Sequence, residues 1–501
     1  MTPKPIDILK ERLHEVAHLG ATIALLHWDQ EVNMPAKGAD ARASAIAYLS
    51  AIVHNKFLAI NEDGLLDKLK RGLEASKIRG NDAVIVAETW RNYEREKKLP
   101  EAFIKELAET SSKSQTVWAE ARAKNDFGLW LPWLEKIVKL KRREAEYVGY
   151  QDSPYDALID TYEPGMTTAE TTVVLNDLKD FLVPFLQKIK ASKTKIDTKK
   201  ILGQFPLDKQ MAFNNLIAEK MGFDLGAGRI DKSVHPFSTS FHSTDVRMTT
   251  RYRKNDVLYS IGSTIHETGH SLYEQNLPAE FFGTPLAEAV SLGIHESQSR
   301  LWENNIGRSL PFWKYFYPKL QKEFPAPFKK LKLEEFYKII NKIEPSFIRT
   351  EADEATYNLH IILRFELERE IIEGSLELKD LPKIWNAKMK EYLGVKVPNN
   401  KLGILQDVHW SGGDFGYFAT YSLGNLYAAQ FYNQMRQAIP QIDKKIAKGN
   451  FAEINNWLKQ HIHRHGKTYR AGDLVKKVTG EPLNSRYFID YLEAKYKKIY
   501  G

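Results

Sequence analysis

The chain contains no cysteine in its 501 residues, and this absence restricts its chemistry. Disulfide bonds, thiolate nucleophiles and sulfur ligands for metals are all excluded. Any metal site must therefore be built from histidine nitrogens and carboxylate oxygens.

The sequence also lacks long apolar runs, internal repeats and low-complexity tracts. No segment approaches about 18 consecutive apolar residues, the length that predicts a membrane span. The first ten residues have no apolar core of the kind found in a secretory signal. We therefore expect a cytoplasmic protein that has no membrane partner.

Positive charge is in modest excess, because 72 lysines and arginines outnumber 64 acidic residues and leave a formal net charge of +8. Nucleic-acid binding would need these cations to cluster on one surface. Clusters occur at 68–71, 139–143, 193–200 and 329–332, but most have acidic residues close by. We interpret them as solvated helix faces and predict no nucleic-acid partner.

Helical periodicity dominates the chain. From residue 5 to about 149, apolar residues recur every three or four positions, as in Ile6, Leu9 and Leu13. β-Prone sequence is confined to short pieces between 226 and 259, at 238–242 and 246–252, which are spaced like a hairpin or a three-stranded sheet. The sequence predicts a mainly α fold with a small β-sheet just before the helix at 261–275.

That helix contains a metal-binding pattern, His266-Glu267-Thr-Gly-His270. Residues four apart share a helix face, so both imidazoles can reach one ion. Zinc accepts two neutral imidazoles and a carboxylate, and it lowers the pKa of a bound water toward about 7. Glu267 is then placed to take the proton of that water. The alternative is a solvated helix face that carries two histidines by coincidence, and a third ligand would decide between them.

The candidate third ligand is Glu296, which lies 26 residues (296 − 270) beyond His270. Proline and glycine between 278 and 285 are typical of a turn that returns a second helix to the first. His295 is the alternative ligand. Consecutive helix residues point about 100° apart, so only one of the two faces the metal. We predict Glu296.

Two other histidine groups are weaker candidates. His27 has carboxylates nearby, but its apolar neighbours predict a core position in which His27 is hydrogen-bonded. His461, His463 and His465 alternate with other residues and have no matching carboxylate. We interpret this second group as a surface or packing feature.

Six ordered segments together resemble the signature of the thermostable (Taq-type) metallocarboxypeptidases, peptidase family M32. They are His235-Pro-Phe237, Asp245-Val-Arg247-Met-Thr249, His266–His270, His295-Glu-Ser-Gln298, Ile348–Glu354 and Gly403–Trp410. Leu26–Gln30 also looks like that family. The resemblance runs over nearly the full chain and shows no departure at the metal or base positions.

The resemblance implies an almost wholly helical fold, with two lobes flanking a deep substrate groove as in angiotensin-converting enzyme and neurolysin. It implies one catalytic domain over residues 1–501, in which the helices of about 1–150 form part of the groove wall. It also implies a homodimer that releases single residues from peptide C-termini, with broad preference and reluctance toward proline. The implied metal is Zn²⁺, with Co²⁺ as an alternative.

The resemblance further suggests roles for residues outside the metal set. By similarity to related helical peptidases, Tyr417 and His409 are expected to donate hydrogen bonds to the oxyanion. His235 is expected to hold the backbone carbonyl of the departing residue.

An exopeptidase must also bind a free carboxylate, which a planar guanidinium does with two hydrogen bonds. Arg349, assisted by Tyr421, is the candidate. The alternative for Arg349 is an ion pair with Glu351 or Asp353. For Arg247 we favour a purely structural ion pair, because Asp245 is beside it.

Two rival functions remain. An oligoendopeptidase with the same zinc set would cut inside peptides and would need no carboxylate clamp. A non-catalytic helical scaffold with basic faces would bind no zinc, and its binding to partners would fall steeply with salt.

Overall fold

The computed structural model describes residues 3–501 and confirms a mainly α fold with a small sheet. The first half of the chain forms nine helices before the sheet. They are α1 (Pro5–Val32), α2 (Ala39–Leu58), α3 (Leu65–Glu74), α4 (Gly80–Lys97), α5 (Glu101–Lys124), α6 (Phe127–Val148), α7 (Pro154–Ile159), α8 (Thr168–Ala191) and α9 (Leu207–Met221).

The sheet has three strands, β1 (Gly228–Lys232), β2 (Ser238–His242) and β3 (Asp245–Thr250). The central strand is β3, which pairs in parallel with β1 and antiparallel with β2. Val246 and Met248 of β3 are buried, and the Thr250 hydroxyl bonds Ser263 at 3.0 Å on the helix that follows. The sheet therefore braces that helix.

Helices resume after the sheet and continue to the C-terminus. They are α10 (Val257–Gln275), α11 (Leu292–Arg300), α12 (Leu310–Glu323), α13 (Pro325–Phe328), α14 (Leu333–Ile340), α15 (Thr356–Glu373), α16 (Leu381–Leu393), α17 (His409–Gly412), α18 (Phe418–Ala438), α19 (Ile442–Ile446), α20 (Ala452–His461), α21 (Ala471–Thr479) and α22 (Arg486–Tyr500). A π-helical turn, Leu301–Gly307, extends α11.

Two large hydrophobic cores share α18. Phe418 and Leu426 pack into a core built mainly from α6, α8, α15, α16 and α22. Leu423 and Phe431, on the same helix, pack into a second core that includes α9, α10, α12 and α20. Because α18 contributes to both cores, its sequence is apolar on nearly all sides rather than amphipathic.

The N-terminal helices pack around a third, smaller core. It contains Leu9, Leu13, Ile60, Ile85 and Val86, with α5 and α6 belonging to a large core instead. The assignment of residues 1–501 to one catalytic domain, and of 1–150 to the groove wall, stays a prediction.

The helix α2 is largely exposed. The helical stretch Ala36–Glu74 is apolar and long enough to cross a membrane by length and composition, although the sequence predicted no such segment. Six alanines in α2 account for much of this hydropathy. The stretch is also interrupted by positive φ angles at Asp63 and Gly64. A single helix of this kind is weak evidence for a membrane span, because helices of soluble proteins pass the same test.

The structure corrects one local prediction near α1. Trp28 is buried, with the Arg247 guanidinium 4.3 Å from its ring, but Leu25 and His27 are exposed. Asp29 pairs with Arg42 at 2.5 Å. The prediction of a hydrogen-bonded core position for His27 was therefore wrong, because only one face of α1 contacts the sheet.

Candidate metal centre

His266 and His270 lie one turn apart on α10, which begins where the Asp256 carboxylate caps the amide of Tyr259 at 3.1 Å. Both imidazoles direct Nε2 toward the same oxygen of Glu296, at 3.6 Å for His266 and 3.3 Å for His270. The sequence pattern and the helix therefore bring three ligand side chains to one point.

Close helix packing brings Glu296 to the histidines. A Cβ at Gly269 would lie 2.6 Å from the Cα of Ser299, so α10 and α11 cross at backbone contact. A Cβ at Gly424 would lie 2.5 Å from Cγ of Glu296, so α18 presses against the carboxylate from the other side. Only glycine permits these approaches.

These three residues fit a metal ion. One ligand atom from each of His266, His270 and Glu296 lies within 4.8 Å of the others. Two nitrogens and one carboxylate oxygen are the donor set that zinc takes in hydrolytic sites. His295, the alternative ligand, instead bonds Glu274 at 2.8 Å and stacks on the His270 ring at 4.5 Å. The geometry therefore favours Glu296 over His295.

A further carboxylate orients one of the histidines. Glu303 lies on the π-helical turn and is 2.9 Å from Nδ1 of His266. Arg300 bonds both Glu296, at 2.7 Å, and Glu303, at 3.1 Å. Metal-bound histidines commonly carry such a partner on the second nitrogen. Sequence reasoning missed Glu303, although its position seven residues after Glu296 places both on one helical face.

Both central carboxylates are buried, but their charged neighbours give them opposite character. Burial raises the pKa of Glu267 to about 7, and the nearby Glu296 carboxylate raises it further while His266 opposes the shift. For Glu296, burial is outweighed by Arg300 and His266, which hold its pKa well below the usual range. Burial and the neighbouring His295 lower the pKa of His270 to about 3, so its imidazole is neutral.

Arg349 lies in a second charged cluster and is only 6% exposed. It bonds one oxygen of Asp407 at 3.1 and 3.2 Å, and the hydroxyl of Tyr357 at 3.1 Å. Arg364 bonds the other oxygen of Asp407 at 2.7 Å. The alternative interpretation, an ion pair of Arg349 with Glu351 or Asp353, was therefore wrong. Two guanidinium groups share one carboxylate, which leaves one positive charge without an anionic partner among residues 3–501.

Aromatic residues connect this cluster to the metal centre. The Arg300 guanidinium lies 4.4 Å from the Tyr357 ring, and the hydroxyl of the same tyrosine bonds Arg349. Tyr421 lies beside Arg349, 4.9 Å from its guanidinium. Two side chains, Arg300 and Tyr357, therefore separate the carboxylate of Glu296 from the guanidinium of Arg349.

His409 is the first residue of the short helix α17, and Tyr417 ends the loop that joins α17 to α18. Their rings are 5.3 Å apart, and Tyr417 is also 5.3 Å from Tyr421. Burial, reinforced by Arg349, lowers the pKa of His409 to about 4, so its ring is neutral. Glu368 anchors both α17 and this loop, since it accepts from Trp410 Nε1 at 2.7 Å and from the Gly416 amide at 3.1 Å.

The other predicted residues lie outside these clusters. His235 is exposed on the connection between β1 and β2, and its side chain makes no hydrogen bond with residues 3–501. Arg247 forms a two-pronged ion pair with Asp245 at 2.9 Å, as the structural interpretation of that residue predicted. His463 is buried between Gln298 and Asn276, which is the packing role expected for its group.

Comparison with known proteins agrees with this geometry. A sequence model described as the carboxypeptidase Taq (M32) metallopeptidase family matches residues 8–496. The chain is 42% identical over 494 residues to carboxypeptidase 1 of Bacillus subtilis, covering 99% of this chain and 97% of that protein. It is 41% identical over 512 residues to thermostable carboxypeptidase 1 of Thermus thermophilus, covering 100% of both.

Solved structures are similar over the whole chain. An M32 carboxypeptidase from Deinococcus radiodurans superimposes with a TM-score of 0.94 at 37% identity, covering 98% of this chain and 99% of that chain. A Pyrococcus furiosus carboxypeptidase gives a TM-score of 0.94 at 39% identity, covering 99% of both chains. With the six sequence segments and the histidine–glutamate cluster, these similarities confirm that the chain belongs to the carboxypeptidase Taq (M32) family of metallopeptidases.

Proposed function

We propose that this protein is a zinc carboxypeptidase that releases single residues from peptide C-termini with broad side-chain preference. The proposal depends on one observation: the candidate metal ligands lie close to Arg349, a buried guanidinium whose charge is not fully neutralised. Tyr357 contacts both Arg349 and Arg300, which bonds the ligand Glu296. The metal ligands suit hydrolysis of an amide, and the guanidinium suits recognition of a terminal carboxylate.

His266, His270 and Glu296 would hold the metal, with Co²⁺ as an alternative to Zn²⁺. When bound, the metal supplies Lewis-acid polarisation of the substrate carbonyl and of water. Glu303 fixes the orientation of His266, and Arg300 keeps Glu296 anionic. These contacts preorganise the ligands before the ion arrives.

Glu267 acts as the general base that takes the proton from water and later delivers it to the departing amine. Its burial supports this role, because a pKa of about 7 allows both proton uptake and release near neutral pH. The charges of His266 and Glu296 both act on the Glu267 carboxylate, which supports a position close to the proposed ligands.

Tyr417 and His409 serve as donors to the oxyanion that develops on the scissile carbonyl. Burial raises the pKa of the Tyr417 phenol and lowers that of His409, so the first keeps its proton and the second is neutral. His235 holds the backbone carbonyl of the departing residue when substrate is bound. Its exposed position on the β1–β2 connection leaves it accessible for that contact.

Arg349 binds the terminal carboxylate, and Tyr421 lines the same place. Asp407 neutralises only one of the two guanidinium groups of Arg349 and Arg364, so an incoming carboxylate completes the charge balance. An oligoendopeptidase would have no use for this buried positive charge, which is the reason to prefer the exopeptidase. Cytoplasmic location and a homodimer remain part of the proposal.

The test is to compare a peptide that has a free C-terminus with its amidated form. Zinc-loaded enzyme, with its metal content measured, should release residues one at a time from the free form and cut the amide at least about 100-fold more slowly. Arg349→Ala should remove most of this discrimination, whereas Arg369→Ala, a control on α15 that pairs with Glu373, should keep it. Equal cleavage of both peptides by the unmodified enzyme would contradict the proposal and favour an endopeptidase.

A further inference from the structure

A cavity lies apart from the metal centre. It has a volume of about 920 Å³ and is lined by residues of α12, α14, α18, α19 and α22. Neither the three metal-ligand candidates nor Arg349 lines it. The volume is within the range of sites that bind small organic molecules. The proposed peptidase reaction leaves this cavity without a role.

The rim of the cavity is cationic. Four exposed lysines line it, and none of them forms an ion pair with residues 3–501: Lys314, Lys338, Lys444 and Lys498. Of the three lining acids, Asp443 pairs with Arg436 at 2.7 Å and Asp490 pairs with Arg486 at 2.8 Å. Only Glu334 is left to offset the four ammonium groups, so the cavity attracts anions.

The floor of the cavity offers unused hydrogen-bonding groups. Asn305 lines the cavity and is 4% exposed, yet its side-chain amide makes no hydrogen bond within residues 3–501. Ser309 and Leu310, at the beginning of α12, lie beside it on the lining. The Ser309 side chain already accepts from the Phe312 amide and Pro311 has no N–H, so the Leu310 amide is the first-turn donor left for a ligand, at a helix end that favours negative charge. The polar atoms of the Asn305 side chain are therefore available to bond a ligand in the cavity.

The wall of the cavity is aromatic and apolar. Four tyrosines contribute to it, Tyr337, Tyr432, Tyr487 and Tyr491, together with aliphatic side chains such as Ile499. Tyrosine faces and edges pack well against planar rings. The lining therefore combines a cationic rim, an unpartnered amide and a ring-binding wall.

We propose that this cavity binds a small anion that carries a planar ring, in the chemical class of the nucleoside phosphates. The phosphate lies against the lysines and the beginning of α12, and Asn305 bonds the ligand at the floor. The ring packs against the tyrosines. The site is separate from the peptidase centre, so its occupation does not require peptide.

The test uses calorimetric titration of the intact, metal-loaded protein with adenosine 5′-monophosphate, adenosine and inorganic phosphate. The monophosphate should bind saturably and at least about tenfold more tightly than adenosine or phosphate alone. Only the monophosphate has both a phosphate to contact the lysines of the rim and a ring to pack against the tyrosines of the wall. Added salt should weaken its binding. Absence of saturable binding up to about 10 mM, a range typical of very weak ligands, would overturn the proposal, as would equal affinity for adenosine.

Matched variants locate the site. The double variant Lys338→Ala with Lys498→Ala should weaken binding of the monophosphate by about tenfold or more. Lys497→Ala is the control, since this exposed neighbour does not line the cavity, and it should change affinity less than about twofold. Peptidase activity should be unchanged in all variants, which verifies folding. An equal loss of affinity in the Lys497 variant, or none in the double variant, would overturn the assignment.

Discussion

At the scale of single residues, the surroundings of two carboxylates separate their proposed roles. Glu296 is held ionised by Arg300, which bonds it at 2.7 Å, and an ionised carboxylate is what a metal ligand must be. Glu267, on the neighbouring helix, has no such cation bonded to it, and burial raises its pKa to about 7. One carboxylate is therefore suited to hold a cation and the other to exchange a proton.

Glu267→Gln should retain stoichiometric zinc while kcat falls by about 10²–10⁴-fold, because the amide cannot accept the proton of water. Metal content and steady-state rates on a peptide that has a free C-terminus measure the two effects separately. Activity within tenfold of the unmodified protein would remove Glu267 as the base.

Glu303→Gln should weaken zinc binding by about 10–100-fold, because the partner of His266 loses its charge. Glu274→Gln is the matched control. Glu274 makes the same kind of contact with His295, which contributes no atom to the ligand cluster, so zinc affinity should be unchanged. Competition with a chelator measures both affinities. A loss of affinity confined to the Glu274 variant would point to His295 as the ligand instead.

At the scale of elements, buried carboxylates fasten the segments that carry site residues. Glu163 accepts from the Ser291 hydroxyl and the Gly293 amide, both at 2.9 Å, and thereby holds the beginning of α11. The Tyr427 hydroxyl of α18 bonds the same carboxylate at 3.0 Å. Since α11 carries Glu296, this contact fixes the third ligand relative to α18.

The Glu163 contact should make stability depend on pH. Burial raises the pKa of Glu163 from 4.5 to about 7, so the folded protein binds this proton more tightly than the unfolded chain does. Its stabilising effect is complete below about pH 4.5 and is lost as the pH rises through about 7. Over that range the free energy of unfolding should fall by up to about 3 kcal/mol relative to Glu163→Gln.

Denaturant unfolding at a series of pH values measures this difference. Glu219→Gln, at an exposed position on α9, is the control and should follow the unmodified protein at every pH. If the free energy of unfolding changed with pH in the same way for the unmodified protein and for Glu163→Gln, the Glu163 carboxylate would not be the source of the pH dependence.

At the scale of the whole molecule, the metal centre lies beside α18, the helix that the two large cores share. Its ligands come from α10 and α11, which pack in one core, while the Arg349 cluster adjoins the other. A substrate that reaches both the metal centre and Arg349 would therefore contact elements of both large cores.

Removal of the metal should lower the melting temperature. A ligand that binds only the folded state at about 100–1,000 times its Kd adds about 3–4 kcal/mol of stability. Calorimetry of the chelated and zinc-loaded protein should show this difference, and Glu296→Gln should abolish most of it. Equal melting temperatures for the chelated and loaded forms would contradict a metal site between α10 and α11.

Features that depend on neighbours in the chain could be determined from the sequence alone. The absence of cysteine limits the ligand chemistry, and the spacing of His266 and His270 places them on one helix face. The short β-prone pieces and the helical periodicity predicted the sheet and the mainly α fold, both confirmed. These signals depend only on residues that are close together in the sequence, so they do not require knowledge of how the rest of the chain folds.

Only the tertiary structure decided the long-range partners. Arg349 pairs with Asp407, 58 residues away, rather than with the acids beside it, and Arg364 completes that cluster. Asp353, one of those nearby acids, instead accepts from the amides of Ala355 and Thr356, where α15 begins. Which charges meet depends on how helices cross, and periodicity along one segment carries no information about that crossing.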